Sequence, residues 1–214
     1  MAQRIKLYYE LSTKLSYLSN HDLVLILSKG EKTQGWAVNT VFELDGSKIF
    51  CKQLDMTDIE KNNQFDTSNL FNLPTYYNYG IGSAGFNCFR ELLMHIKTTN
   101  WVLDGQIENF PLMYHYRIIE TPLDESKYNE NFINEMTNKW NNKQVGEYLK
   151  ARAYRQYSIM MFFEYIPLNL EEWLDDDYQK NKLYLEQILK IIRFLRKHSN
   201  RWTNNLFDRF WISL

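Results

Sequence analysis

The chain predicts an α+β fold in which helices cover an antiparallel sheet. Three observations point to it. Two β-prone runs flank the turn dipeptide Asp45-Gly46. Helical apolar spacing over residues 86–103 separates them from the later strands. The apolar run Ser158-Ile159-Met160-Met161-Phe162-Phe163 ends at Glu164-Tyr165-Ile166-Pro167, after which helical spacing resumes. With 214 residues and 44% apolar content, the chain is long enough to bury a substantial core.

Ile5, Leu7, Tyr8, Leu11, Leu15 and Leu18 recur at helical spacing and predict an N-terminal helix of about four turns, ended by Ser19-Asn20-His21-Asp22. Leu23-Val24-Leu25-Ile26-Leu27 reads as a buried strand closed by Gly30. A second strand runs from Trp36 to Leu44 and a third from Lys48 to Leu54, joined at Asp45-Gly46. Between 55 and 84 the period is weak, with short helices expected near Thr57–Lys61 and near Asn69. Leu112–Ile119 reads as a strand and 130–155 as a polar helical insertion. Tyr184, Ile188, Ile191, Ile192 and Leu195 mark a last amphipathic helix.

The formal net charge of −1 gives no overall pull towards nucleic acid or anionic lipid, so neither is expected as a partner. The longest apolar run is too short to span a bilayer, and the N-terminus lacks a signal-peptide core. The two cysteines, Cys51 and Cys88, lack metal-type spacing and read as reduced, buried thiols of a cytoplasmic protein. His21, His95, His115 and His198 are scattered without Cys, Asp or Glu at ligand spacing, so no metal site is expected. Asp175-Asp176-Asp177 reads as a solvated loop or helix cap.

Ile49-Phe50-Cys51-Lys52-Gln53 sets a lysine inside an apolar strand, where it needs an anionic partner. Phe89-Arg90-Glu91-Leu92-Leu93 offers a carboxylate among apolar neighbours on the following helix. Gly30 and Gly35 bracket a loop placed between the first two expected strands. That loop has only two of the glycines of a G-x-G-x-x-G pattern, so a phosphate-covering role and plain turn geometry both remain open.

The order strand-Lys, helix-Glu, strand, apolar strand ending in Glu-Tyr, amphipathic helix resembles the protein-kinase superfamily. More narrowly, Asn69-Leu70-Phe71-Asn72-Leu73-Pro74, Gly80-Ile81-Gly82-Ser83-Ala84-Gly85-Phe86, Thr98-Thr99-Asn100-Trp101 and Phe110-Pro111-Leu112-Met113-Tyr114-His115 are similar to stretches of bacterial kinase-like proteins. The likeness covers roughly residues 20–197. It implies that Lys52 and Glu91 are a nucleotide-anchoring pair, and that Glu164, Tyr165 and Ile166 begin an interlobe linker whose backbone grips adenine. Ala37 or Val38 would roof the cleft beside Lys52. It further implies a small lobe at 23–166 after an N-terminal helix at 1–22, with insertions at 55–84 and 124–155. The first large-lobe helices would follow at 167–199. ATP is the implied ligand. The catalytic loop and Asp-Phe-Gly motif that would bring Mg²⁺ do not occur in residues 168–214, so neither Mg²⁺ nor a catalytic residue is assigned.

Residues 200–214 read as an aberrant tail. Trp202 and Trp211 are each followed by a residue whose codons begin with A, so a one-nucleotide shift turns each into glycine. With AT-rich codons the shifted frame gives an Asp-Gly and then an Asp-Phe-Gly, which is the expectation of a frameshifted kinase segment. The expected role is thus the nucleotide-anchoring part of a kinase-like phosphotransferase, inactive as this chain. The alternatives are a partner-binding module and one half of a split kinase whose partner is the missing C-terminal lobe.

Overall fold

A computed structural model describes residues 1–33, 38–80, 83, 85–121, 128–168 and 178–199. Its helices are α1 (Ala2–Tyr17), α2 (Asn20–Lys29), α3 (Asp58–Asn62), α4 (Thr75–Asn78), α5 (Cys88–Leu103), α6 (Glu130–Lys139), α7 (Lys143–Ala153) and α8 (Tyr178–Ser199). Its strands are β1 (Glu31–Thr33), β2 (Val38–Leu44), β3 (Ser47–Met56), β4 (Met113–Glu120) and β5 (Tyr157–Glu164). The α+β expectation holds: the five strands form one antiparallel sheet in the order β1-β2-β3-β5-β4.

The β2–β3 turn follows from its dipeptide. Asp45 and Gly46 both adopt positive φ, 50° and 75°, as a two-residue hairpin with right-handed strand twist requires. β5 lies between β3 and β4 and is apolar on both faces, because helices cover both. On one face Ile49, Cys51, Phe42 and Phe162 pack with Leu11 and Leu15 of α1 and Leu23 and Leu27 of α2. On the other, Met56, Ile159, Met161 and Phe163 pack with Cys88, Phe89 and Leu92 of α5.

The expected strand at Leu23–Leu27 is corrected to helix, and the single N-terminal helix over 1–22 becomes two, reaching Lys29. Ser19 does not simply end the first helix; it caps the second. Its hydroxyl accepts from the Asp22 backbone N–H while the Asp22 carboxylate accepts from the Ser19 backbone, a capping box. Only Leu23 and Leu27, four residues apart, are buried; Val24 and Leu25 between them are about half exposed. The first strand is instead the short, exposed β1.

No helix forms near Asn69. Its side-chain amide instead accepts from the Leu73 N–H (2.9 Å) and donates to the Leu73 carbonyl (2.6 Å), closing a loop, and the short helix comes later, at α4. The insertion at 130–155 is helical as expected and is tied to the sheet by a buried polar cluster. Asp55 at the end of β3 accepts from Arg152, Arg155 and Tyr128, and Arg152 also donates to Tyr128 and Tyr148. All five are nearly excluded from solvent, so the two guanidinium groups are tolerated because the carboxylate and phenol oxygens receive them.

Helix α8 packs on the core through Ile191 and Leu195, and its Phe194 ring meets Trp101 edge-on at 5.0 Å. No described helix is long and apolar enough to cross a membrane. Both cysteines are buried and unpaired. Burial pushes the Cys51 thiol up to about 12 and raises that of Cys88 as well, so neither is poised to react. The expected tail at 200–214 and the acidic run Asp175–Asp177 lie outside the described residues.

Candidate functional site

The site is built where β3 meets the N-terminal half of α5. Strand alternation puts Phe50, Lys52, Leu54 and Met56 on the α5 face of the sheet and Ile49 and Cys51 on the other. Helix α5 is held firmly at its start. Asn87 caps it, accepting from the backbone of Phe89 at 2.8 Å, and its own amide donates to the Asp66 carbonyl. Glu60, buried at the start of α3, accepts from the Cys88 N–H at 3.1 Å and from the Thr57 backbone and hydroxyl. These contacts fix the first turn of α5 beside the strand and so aim Glu91 at Lys52.

Lys52 Nζ lies 2.7 Å from Glu91 Oε1, with the two side chains only 21% and 15% exposed. His95, one turn further along α5, brings Nε2 to 3.7 Å from the same oxygen, and its ring lies against Phe163. Burial by itself would raise the Glu91 carboxyl. The Lys52 charge and the His95 contact outweigh it and hold the group at about 2. Burial lowers His95 below its ordinary value despite the neighbouring carboxylate, so the imidazole is neutral near pH 7. The charged unit is therefore an ammonium–carboxylate pair with a neutral ring behind it. An ammonium group held by one carboxylate oxygen keeps other hydrogens to offer an anion.

Glu164 ends β5, but its carboxylate faces away from Lys52 and is gripped by Arg4 of α1. It can therefore offer a ligand only its backbone. The half-buried Tyr165 ring sits under Lys48 Nζ, 5.4 Å from its centroid, and Ile166 is 57% exposed. Gly30 is the C-cap of α2 and precedes β1, rather than following a first strand at 23–27. A Cβ there would run into the Thr40 methyl and approach the Val41 carbonyl at 2.9 Å, so close packing on β2 explains the glycine. Gly35 and Ala37 lie outside the described residues. Val38 pairs with Gln53 and so lies on the face opposite Lys52, which corrects its expected place as roof. Asn39 and Val41, paired with Lys52 and Phe50, share the Lys52 face.

Three features were not read from the sequence. His95 stands four residues after Glu91, a spacing that puts both on one helix face and was available to be read. Arg4 lies 160 positions from Glu164 and gave no local signal. Phe50, two residues before Lys52 on the same face, has its ring 6.4 Å from that of Phe163.

A cleft of about 360 Å³ lies elsewhere, between α2 and the β1–β2 edge, lined by Ile26, Lys29, Glu31, Phe42, Glu43 and Lys48 among others; neither Lys52 nor Glu91 borders it. Among the described residues no three His, Cys, Asp or Glu side chains converge as a metal site would need. No family model, curated protein or solved structure matches the chain.

Proposed function

We propose that this chain is the nucleotide-anchoring part of a protein-kinase-like phosphotransferase. The observation that carries this reading is the 2.7 Å contact between Lys52 and Glu91. Kinases place such a lysine on the third strand and pair it with a glutamate on the helix that follows. Here Lys52 is on β3 and Glu91 on α5, and β5, which ends in the linker-like segment, is the direct neighbour of β3. In this reading Lys52 receives the α- and β-phosphates, Glu91 holds the ammonium group in place, and the backbone of Glu164–Ile166 takes the adenine. These groups bind and orient; the transfer step asks in addition for a base and a metal-binding Asp, roles to which no residue is assigned.

Calorimetric titration of the purified chain with ATP tests the reading. Phe50 puts a ring on the Lys52 face, so affinity is expected to be weak, in the range of about 0.1–1 mM, and little changed by Mg²⁺. Lys52→Met is expected to weaken it strongly. Unchanged ATP binding by Lys52→Met refutes the assignment and leaves the ion pair a structural feature. A second reading, a partner-binding module or split-kinase half, is favoured by α8. Leu185, Leu189 and Ile192 form an exposed ridge along it at i, i+4 and i+7.

A further inference from the structure

Arg4 is the least expected charged residue at this end of the sheet. It comes from the first turn of α1, and every nitrogen of its guanidinium group is engaged. Nε donates to Glu164 Oε1 at 2.8 Å and Oε2 at 3.0 Å, and Nη2 donates to Oε2 at 2.6 Å. Nη2 also reaches the Phe110 carbonyl at 2.5 Å and Nη1 the Glu108 carbonyl at 2.8 Å. The same carboxylate accepts from the Leu112 N–H at 3.2 Å, and the Glu164 N–H donates back to the Leu112 carbonyl at 2.9 Å. One side chain thus joins α1, the segment leading into β4 and the last residue of β5.

Among the described residues, few contacts hold the segment that follows Glu164. Tyr165 is half-buried under Lys48, and Ile166 and Leu168 are more than half exposed. Glu164 is thus the last firmly held residue before the linker, its backbone by the pairing with Ile49 and Leu112 and its side chain by Arg4. Helix α1 is itself secured further along by Leu11 and Leu15 in the core and by Tyr8 against Tyr114, so Arg4 reaches Glu164 from a fixed support. A bidentate guanidinium–carboxylate grip fixes orientation as well as distance.

We propose that Arg4 is a positioning residue for the linker: by clamping Glu164 it presets the backbone of Glu164–Ile166 in the arrangement that receives adenine. This rests on the nucleotide reading above. Arg4 touches no ligand; it raises the fraction of molecules whose linker is ready to bind, and apparent affinity scales with that fraction.

The test compares ATP with adenosine, titrated into folded wild-type chain, Arg4→Gln and Lys52→Met. Adenosine engages the linker without the phosphates. Arg4→Gln is expected to weaken both ligands by the same factor, about tenfold if roughly one molecule in ten keeps the ready linker, and Lys52→Met to weaken ATP more than adenosine. The charge swap Arg4→Glu/Glu164→Arg is expected to recover part of the loss, which a merely destabilising change at Arg4 would not allow. Where Arg4→Gln fails to fold, Arg4→Lys decides, because it keeps the charge but not the fork; its expected losses are smaller and again equal for the two ligands. Affinities within about twofold of wild type for the folded Arg4 variant, or a loss confined to ATP, overturn the inference while leaving the nucleotide reading in place. Unchanged ATP binding by Lys52→Met overturns the reading itself, and a wild-type chain that binds neither ligand overturns both.

Discussion

Taking the Lys52 ammonium group out of water is costly, and Glu91 offsets the cost only because α5 is anchored well enough to hold its carboxylate at 2.7 Å. Removing one partner leaves the other charge half-desolvated. Glu91→Gln is therefore expected to lower stability by about 2–3 kcal/mol near neutral pH, read by urea denaturation. The pH dependence has a definite sign. Glu91 is held at about 2, below its ordinary 4.5, so its contribution is present above the ordinary value and is lost as pH falls towards 2. His95, lowered below 6.5, acts in the same direction: it favours the fold while neutral and opposes it once acid protonates it. The gap between wild type and Glu91→Gln should thus narrow as pH falls from about 5 to about 2. A constant gap over that range would mean that the carboxylate charge is not what Lys52 needs. This pair was legible in the sequence, because a lysine inside an apolar strand demands an anion and the next helix offered one. The Arg4–Glu164 clamp was not, because nothing local links residues so far apart in the chain.

Among elements, α2 shows where an apolar run misleads. Leu23–Leu27 has the same composition whether it is a two-faced strand or one side of a helix, and periodicity cannot separate the two over five residues. The deciding signal was polar: Ser19 and Asp22, three apart, form the capping box. Ser19→Ala should cost about 1 kcal/mol. Val24→Lys should be nearly neutral, within about 0.5 kcal/mol, whereas Leu23→Ala should cost about 3 kcal/mol. Comparable losses at 23 and 24 would restore the strand. The α6–α7 insertion makes a second element-scale test. Its helices were expected, but the polar cluster that fastens them was not, because nothing local links Asp55 to arginines about a hundred positions later. Asp55→Asn leaves Arg152 and Arg155 without their carboxylate, and about 3–5 kcal/mol of destabilisation is expected in thermal or denaturant unfolding.

On the scale of the whole molecule, the sheet separates two environments. The α1/α2 face is an apolar core, while the α5 face combines an apolar core with the Lys52–Glu91–His95 cluster. The strands at 38–44 and 47–56 and the helices α5 and α8 were readable from their periods, and β5 from an apolar run bounded by Glu164-Tyr165-Ile166-Pro167. The face assignments were not, since one residue of register decides them, as Val38 shows. The central claim is that adenine nucleotide binds against the Lys52 face and the linker. The most direct measurement is an amide NMR titration of the labelled chain with ATP. The expected shifts concentrate at the Lys52, Glu91 and Glu164–Ile166 amides and are strongly reduced in Lys52→Met. Shifts confined to the Lys29–Lys48 cleft, or none at all at millimolar ATP, would contradict it.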